Sequence, residues 1–130
     1  KLGLQDKLEL LNLDSARDWG GSRDFVRGMW LMLQQDEPGD YVLATGVVHT
    51  LSDLCEKAFA VVGITNWLDY VTLSGNDRPA DVKYLWGDAS KAERELGWKP
   101  ETDFDTMVEE MVRADLQRVE VEMKGIQSNG

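Results

Sequence analysis

One cysteine, one histidine and three prolines in 130 residues already leave several chemistries out. Cys55 cannot close an internal disulfide, and one Cys with one His, His49, cannot build a conventional zinc site. No apolar run approaches the roughly 20 residues of a membrane-spanning helix, and no signal-peptide pattern opens the chain. Positive charge is scarce: 14 Lys and Arg stand against 24 Asp and Glu, a net charge of −10. That field repels nucleic acid and anionic membranes, so an anionic ligand must be gripped by a few local cations. These absences predict a soluble, cytoplasmic protein with neither kind of partner. The chain starts at Lys1 without an initiator methionine and reads as the middle of something longer.

The 12 glycines form no Gly-x-Gly-x-x-Gly or Gly-x-x-Gly-x-x-Gly, so the dinucleotide fingerprint is missing, as is any Walker loop. Tyr41, Tyr70 and Tyr84 have Thr45, Ser74 and Asp88 four residues on, so no Tyr-x-x-x-Lys proton-relay pair exists. No serine lies in a nucleophile elbow. His49 reads as a structural or surface residue and Cys55 as core packing. No catalytic residue is identified.

What is present suits one domain. With 42% hydrophobic residues and five Trp, folding at ordinary compactness would hide roughly 14,000 of about 21,000 Å². Ser22, as N-cap, opens a helix to Gln35 whose stripe is Phe25, Met29, Met32 and Leu33. Pro38-Gly39 breaks the chain, and Tyr41–Thr45 has the β-favouring character of a buried strand. Thr50 and Asp53 form a capping box for a helix through Leu54, Ala58 and Val61, ended by Gly63. Asp88 caps a helix from Ala89 to Leu96, closed by Gly97. Thr102 or Asp103 starts the last helix, with Phe104, Met107, Val108, Met111 and Leu116 as its apolar stripe. Seven acids against two bases between residues 103 and 122 give it a solvated outer face. Further strands are expected near Leu8–Leu13 and Tyr70–Leu73, and the tail from residue 125 to 130 is expected to fray.

Two arginines stand apart. Arg17 is expected in a turn between an extended run and a helix; Arg78 precedes Pro79, which restricts its backbone to extended conformations. Each either pairs with a neighbouring acid or offers its planar fork to phosphate oxygens. The residues alone leave both open.

The order of several segments is more specific. Leu13-Asp14-Ser15-Ala16-Arg17-Asp18-Trp19-Gly20 is followed by Asp24-Phe25-Val26 and Met29-Trp30-Leu31-Met32-Leu33-Gln34-Gln35. Then come Ala44-Thr45-Gly46, Arg78-Pro79-Ala80-Asp81-Val82, Gly87-Asp88-Ala89-Ser90-Lys91-Ala92 and Leu96-Gly97-Trp98-Lys99-Pro100. Over about residues 3 to 118 this series resembles the GDP-mannose 4,6-dehydratases, which are lyases among the extended short-chain dehydrogenase/reductases. The resemblance implies an α/β fold, mostly helical with a few short strands. It is similar to the family's C-terminal substrate-binding portion, without the Rossmann domain that holds NADP and the catalytic Thr/Ser, Glu, Tyr and Lys. It further implies that Arg17 and Arg78 meet the diphosphate and ribose region of a GDP-sugar, with Asp81 on the same ligand. Asp24 takes a structural role.

The chain departs from the family pattern at Gly21 (His), Phe25 (Tyr), Leu11 (Gly), Asn76-Asp77 (Tyr-Phe) and Asp81 (Glu). These changes bear on ligand binding more than on the fold. The expected function is a weak GDP or GDP-mannose binding module, inactive alone and holding no cofactor. The alternative is a free-standing remnant that associates with itself or another partner. Its homodimer interface would include part of the Arg17–Trp30 segment.

Overall fold

The computed structural model describes residues 2–75, 82 and 84–127. Its helices follow from local chemistry. The first, α1 (Ser22–Met32), begins one residue earlier than a Ser22 cap requires: Gly21 holds the cap position, and no side chain caps there. It also stops at Met32, three residues short of Gln35, because the Leu33 and Gln34 amides tighten onto the carbonyls three residues back. α2 (Leu51–Val61) carries the expected capping box: the Asp53 amide donates to Thr50 Oγ1 at 3.0 Å and the Thr50 amide donates to Asp53 Oδ2 at 2.7 Å. Gly63 follows with φ 77°, the left-handed conformation that ends such a helix.

α3 (Ser90–Leu96) has Ala89 rather than Asp88 at its cap position; Asp88 instead accepts the Ser90 amide. α4 (Phe104–Gln127) is capped by Asp103, whose carboxylate accepts the Thr106 amide at 2.7 Å. It runs to Gln127, past the Gly125 at which fraying was expected; residues 128–130 lie outside the described residues.

Strands form, shorter than expected, within the Leu8–Leu13 and Tyr70–Leu73 stretches, and three further ones form elsewhere. β1 (Leu8–Leu10) pairs in parallel with β4 (Val71–Leu73), which follows a 3₁₀ turn at Trp67–Tyr70. A second sheet has the order β3-β2-β5, formed by β2 (Ala16–Asp18), β3 (Val48–Thr50) and β5 (Tyr84–Leu85). Tyr41–Thr45, expected to be a strand, joins neither ladder.

The core is built around Trp98, which is 0% exposed and packs with Ala92 and Leu96 of α3. Phe25, Leu31 and Met32 of α1, with Tyr41 and Leu43, close over it. Gly28 admits this approach, since a Cβ there would lie 2.6 Å from Leu43 Cδ1 and 2.9 Å from Trp98 Nε1. Asp24, 4% exposed, ties the layers: its carboxylate accepts the Glu101 and Thr102 amides at 3.1 and 2.9 Å, and its carbonyl accepts Trp98 Nε1 at 2.7 Å. Its expected structural role is thereby observed. Cys55 is buried on α2, which packs on α4.

The compactness expected from chain length is not reached. The fold exposes 9425 Å², against about 7,000 Å² for a compact protein of this mass. Of the five tryptophans only Trp67 and Trp98 are buried, while Trp30 and Trp86 stand more than half exposed.

Candidate functional site

Arg17 occupies the middle of β2, the central strand of the three-stranded sheet, rather than a turn. Its register partners are His49 on the antiparallel side and Leu85 on the parallel side. Two flanking ladders fix its backbone, and its guanidinium Nη1 donates to the Ala16 carbonyl at 2.8 Å. The side chain lines a pocket of about 310 Å³ with Phe25, Val42, Leu43, Ala44 and the Leu85-Trp86-Gly87 segment. That is the low end of small-ligand pockets, with one cation and one indole among its described lining residues.

Asp18, next on β2, organises the pocket wall. Its Oδ1 accepts the Thr45 amide at 2.9 Å and the Thr45 hydroxyl at 2.5 Å, while Oδ2 accepts the Gly46 amide at 2.9 Å and the Gly87 amide at 3.3 Å. Desolvation pushes this carboxyl up, but the Thr45 hydroxyl and the three amides outweigh it and hold its pKa below the usual carboxylate value. One side chain thus fastens two loops to the strand that carries Arg17. Gly87 is needed for the fit, because a Cβ there would come within 2.4 Å of the Ala44 Cβ.

A larger hollow of about 570 Å³ lies along Trp19, His49 and residues 100–105. Among the described residues Glu101, Asp103 and Asp105 line it and no Lys or Arg does, so these residues are ill suited to an anion. His49 stacks on Phe104 there, ring centroids 3.8 Å apart, and its carbonyl accepts Trp19 Nε1 at 3.3 Å. Its role is packing between β3 and α4.

Of the expected ligand residues, Arg17 is placed in the pocket, whereas Arg78 and Asp81 lie outside the described residues. Asp18 and Trp86 were not singled out from the sequence. Asp18 is one of many acids, and nothing local announces partners 27 to 69 positions away.

Comparison with known proteins agrees with the segment order. The chain matches the GDP-mannose 4,6 dehydratase family over residues 1–111. It is 50% identical over 118 residues to GDP-mannose 4,6 dehydratase 2 of Arabidopsis thaliana, covering 90% of this chain and 31% of that protein. To the human GDP-mannose 4,6 dehydratase it is 41% identical, covering 89% of this chain and 36% of that one. The chain therefore spans about a third of the length of these curated relatives. Among solved structures, a dTDP-glucose 4,6-dehydratase from Bacillus anthracis in complex with NAD aligns with TM-score 0.75 at 22% identity, covering 88% of this chain and 36% of that chain. A UDP-glucose 4-epimerase from Bifidobacterium longum in complex with NAD+ and UDP aligns with TM-score 0.69 at 24% identity, covering 83% and 34%. At those identities the structural likeness speaks for the fold.

Proposed function

Since this chain belongs to the GDP-mannose 4,6-dehydratase family of extended short-chain dehydrogenase/reductases, we propose that it is the C-terminal, sugar-nucleotide-binding portion of such a protein. Arg17 and Arg78 meet the diphosphate and ribose region of GDP-mannose or GDP, and Asp81 contacts the same ligand. The observation that carries this reading is Arg17 itself, fixed in the central strand and lining the pocket that Asp18 fastens. Two arginine–phosphate contacts contribute about 3–6 kcal/mol, while association costs at least about 4 kcal/mol in rigid-body freedom. Millimolar affinity is the expected outcome for the chain alone.

Dehydration in this family begins with hydride transfer to NADP, which supplies the electron sink when bound. The strand-to-helix turns described here do not suit that cofactor. Between β2 and α1 the space over Gly20 is filled by the Phe25 ring, and the Asp24 carboxylate lies 3.6 Å from a Cβ at Gly21. A pyrophosphate there would meet a carboxylate rather than open amides. Between β3 and α2 the Thr50–Asp53 box takes the free amides. Both features support a chain that is catalytically silent alone, its cofactor held by polypeptide outside it.

A titration tests the ligand reading. GDP or GDP-mannose at millimolar concentration should shift amide signals near both arginines, with strong salt dependence, and Arg17→Ala should abolish the shifts. Perturbations confined to one arginine, or none, would leave only structural salt bridges. Micromolar NADP affinity by calorimetry would overturn the cofactor assignment.

A second reading, self-association, is favoured by the outer face of α1. Val26, Met29, Trp30 and Leu33 lie at i, i+3, i+4 and i+7, and Trp30 and Leu33 are 57% and 82% exposed. A second copy covering this stripe makes a homodimer with an interface above about 1,000 Å². Sedimentation equilibrium decides it: a 14.7 kDa species throughout the high micromolar range would rule the dimer out.

A further inference from the structure

The outer face of α1 carries both halves of a joint. Arg23, Val26, Arg27 and Trp30, at i, i+3, i+4 and i+7, line an open hollow together with Ser22. Four residues at that spacing form the hole into which a neighbouring helix seats one side chain. Leu33 is a knob of that kind. It is 82% exposed, more than any other large hydrophobic among the described residues, and it extends the last turn with helical angles, φ −76° and ψ −10°. Knob and hole lie about 10 Å apart along one helix axis, so the knob cannot fill the hole of its own chain.

Charge follows the same polarity. Arg23 and Arg27 lie in the first half of the helix, whereas Asp36 and Glu37, both exposed, stand just past its end. Asp24 and Glu101 engage Arg27, which serves as a wall of the hole. The Arg23 side chain is 86% exposed, and its 3.7 Å contact with Glu110 is of the exposed kind that holds an arginine weakly.

We propose that two copies of this chain dock through α1 in antiparallel orientation, with the two-fold axis passing between Met29 and Trp30. The inference rests on the self-association reading and adds the register and polarity of the contact. That axis seats each Leu33 over Val26 and Trp30 of the other copy and lays each Met29 thioether against the opposite indole, a favourable pairing. It also sets each Arg23 beside the opposite Asp36. A parallel pair would face Arg23 with Arg23 and leave both holes empty. The net charge of −10 on each copy opposes association, but at physiological salt charges beyond about 8 Å are largely screened, so the opposite charges at the joint decide.

Sedimentation equilibrium at physiological salt tests the docking with charge reversals. Arg23→Glu faces acid with acid at both ends of the joint, and Asp36→Arg faces base with base. Each alone should dimerise at least about 10-fold more weakly than the parent. Mixed in equal amounts, the two variants regain both pairs and should form a heterodimer as tight as the parent dimer. Leu33→Ala removes the knob and should also weaken association at least about 10-fold. Because that side chain is so exposed, the melting of the dilute monomer should not change. A parent that dimerises while the variants match it, or a mixture no tighter than its components, overturns this docking and leaves self-association to another face. A parent that remains a 14.7 kDa monomer overturns both.

Discussion

Asp24 shows how much one buried carboxylate can hold. Desolvation raises its pKa, but the Thr102 and Glu101 amides, the Thr102 hydroxyl and nearby Arg27 overcome that and leave it lowered. A carboxyl with a depressed folded pKa contributes stability that is complete above its unfolded value, about 3.9, and lost as pH falls through the folded value. Asp24→Asn should therefore cost about 2–3 kcal/mol at neutral pH, and the difference from the parent should shrink as pH falls through the lowered folded value. Urea melts at three pH values check it; an equal deficit at every pH would mean that charge is irrelevant there. The sequence placed Asp24 correctly because its resemblance named it structural. It passed over Asp18, because four donors from two distant loops leave no trace in the residues beside it. Short-range chemistry such as the Thr50–Asp53 box is written within four residues and was legible.

Among the elements, the helices were readable to within three residues, as were β1 and β4, whereas β2, β3 and β5 were not. Capping side chains and glycines mark helix ends locally, as Asp103, Gly63 and Gly97 do. Three-residue strands such as β2 and β3 carry no detectable alternation, and β5 follows from pairing with β2 rather than from its two residues. Tyr41–Thr45 reverses the case, since its composition is that of a strand but a ladder needs a neighbour. Where α1 crosses the core, Gly28 tests packing against propensity. Alanine is preferred in a helix by about 1 kcal/mol, whereas overfilling a packed site costs about 1–3 kcal/mol. A Cβ would be 2.6 and 2.8 Å from the two Leu43 methyls and 2.9 Å from an indole nitrogen already bonded to Asp24. The clash prevails, and Gly28→Ala should lower stability by about 1–2 kcal/mol in a chemical melt. A more stable variant would show that Leu43 can move aside.

At the scale of the molecule, the family was legible because it is carried by the order of many segments, and overall compactness was not. A 130-residue chain predicts a well-covered core, and this one leaves apolar faces on α1 and beside Arg17 open to solvent. The Tyr41–Thr45 run, which joins neither ladder among the described residues, also has a colloidal consequence. Asp36, Glu37, Pro38 and Asp40 stand directly before it, the residues that act as gatekeepers against edge-to-edge growth of aggregates. The chain as a whole carries no net charge near its isoelectric point, about 4.5. Near that pH the repulsion between copies disappears while the folded core is still largely intact, so a native-like protein meets its neighbours edge first. Light scattering should therefore peak near pH 4.5, and Glu37→Gln with Asp40→Asn should carry that turbidity toward neutral pH. An unchanged profile would place the sticky surface elsewhere. The acids ahead of this short run guard a segment that no ladder among the described residues takes up.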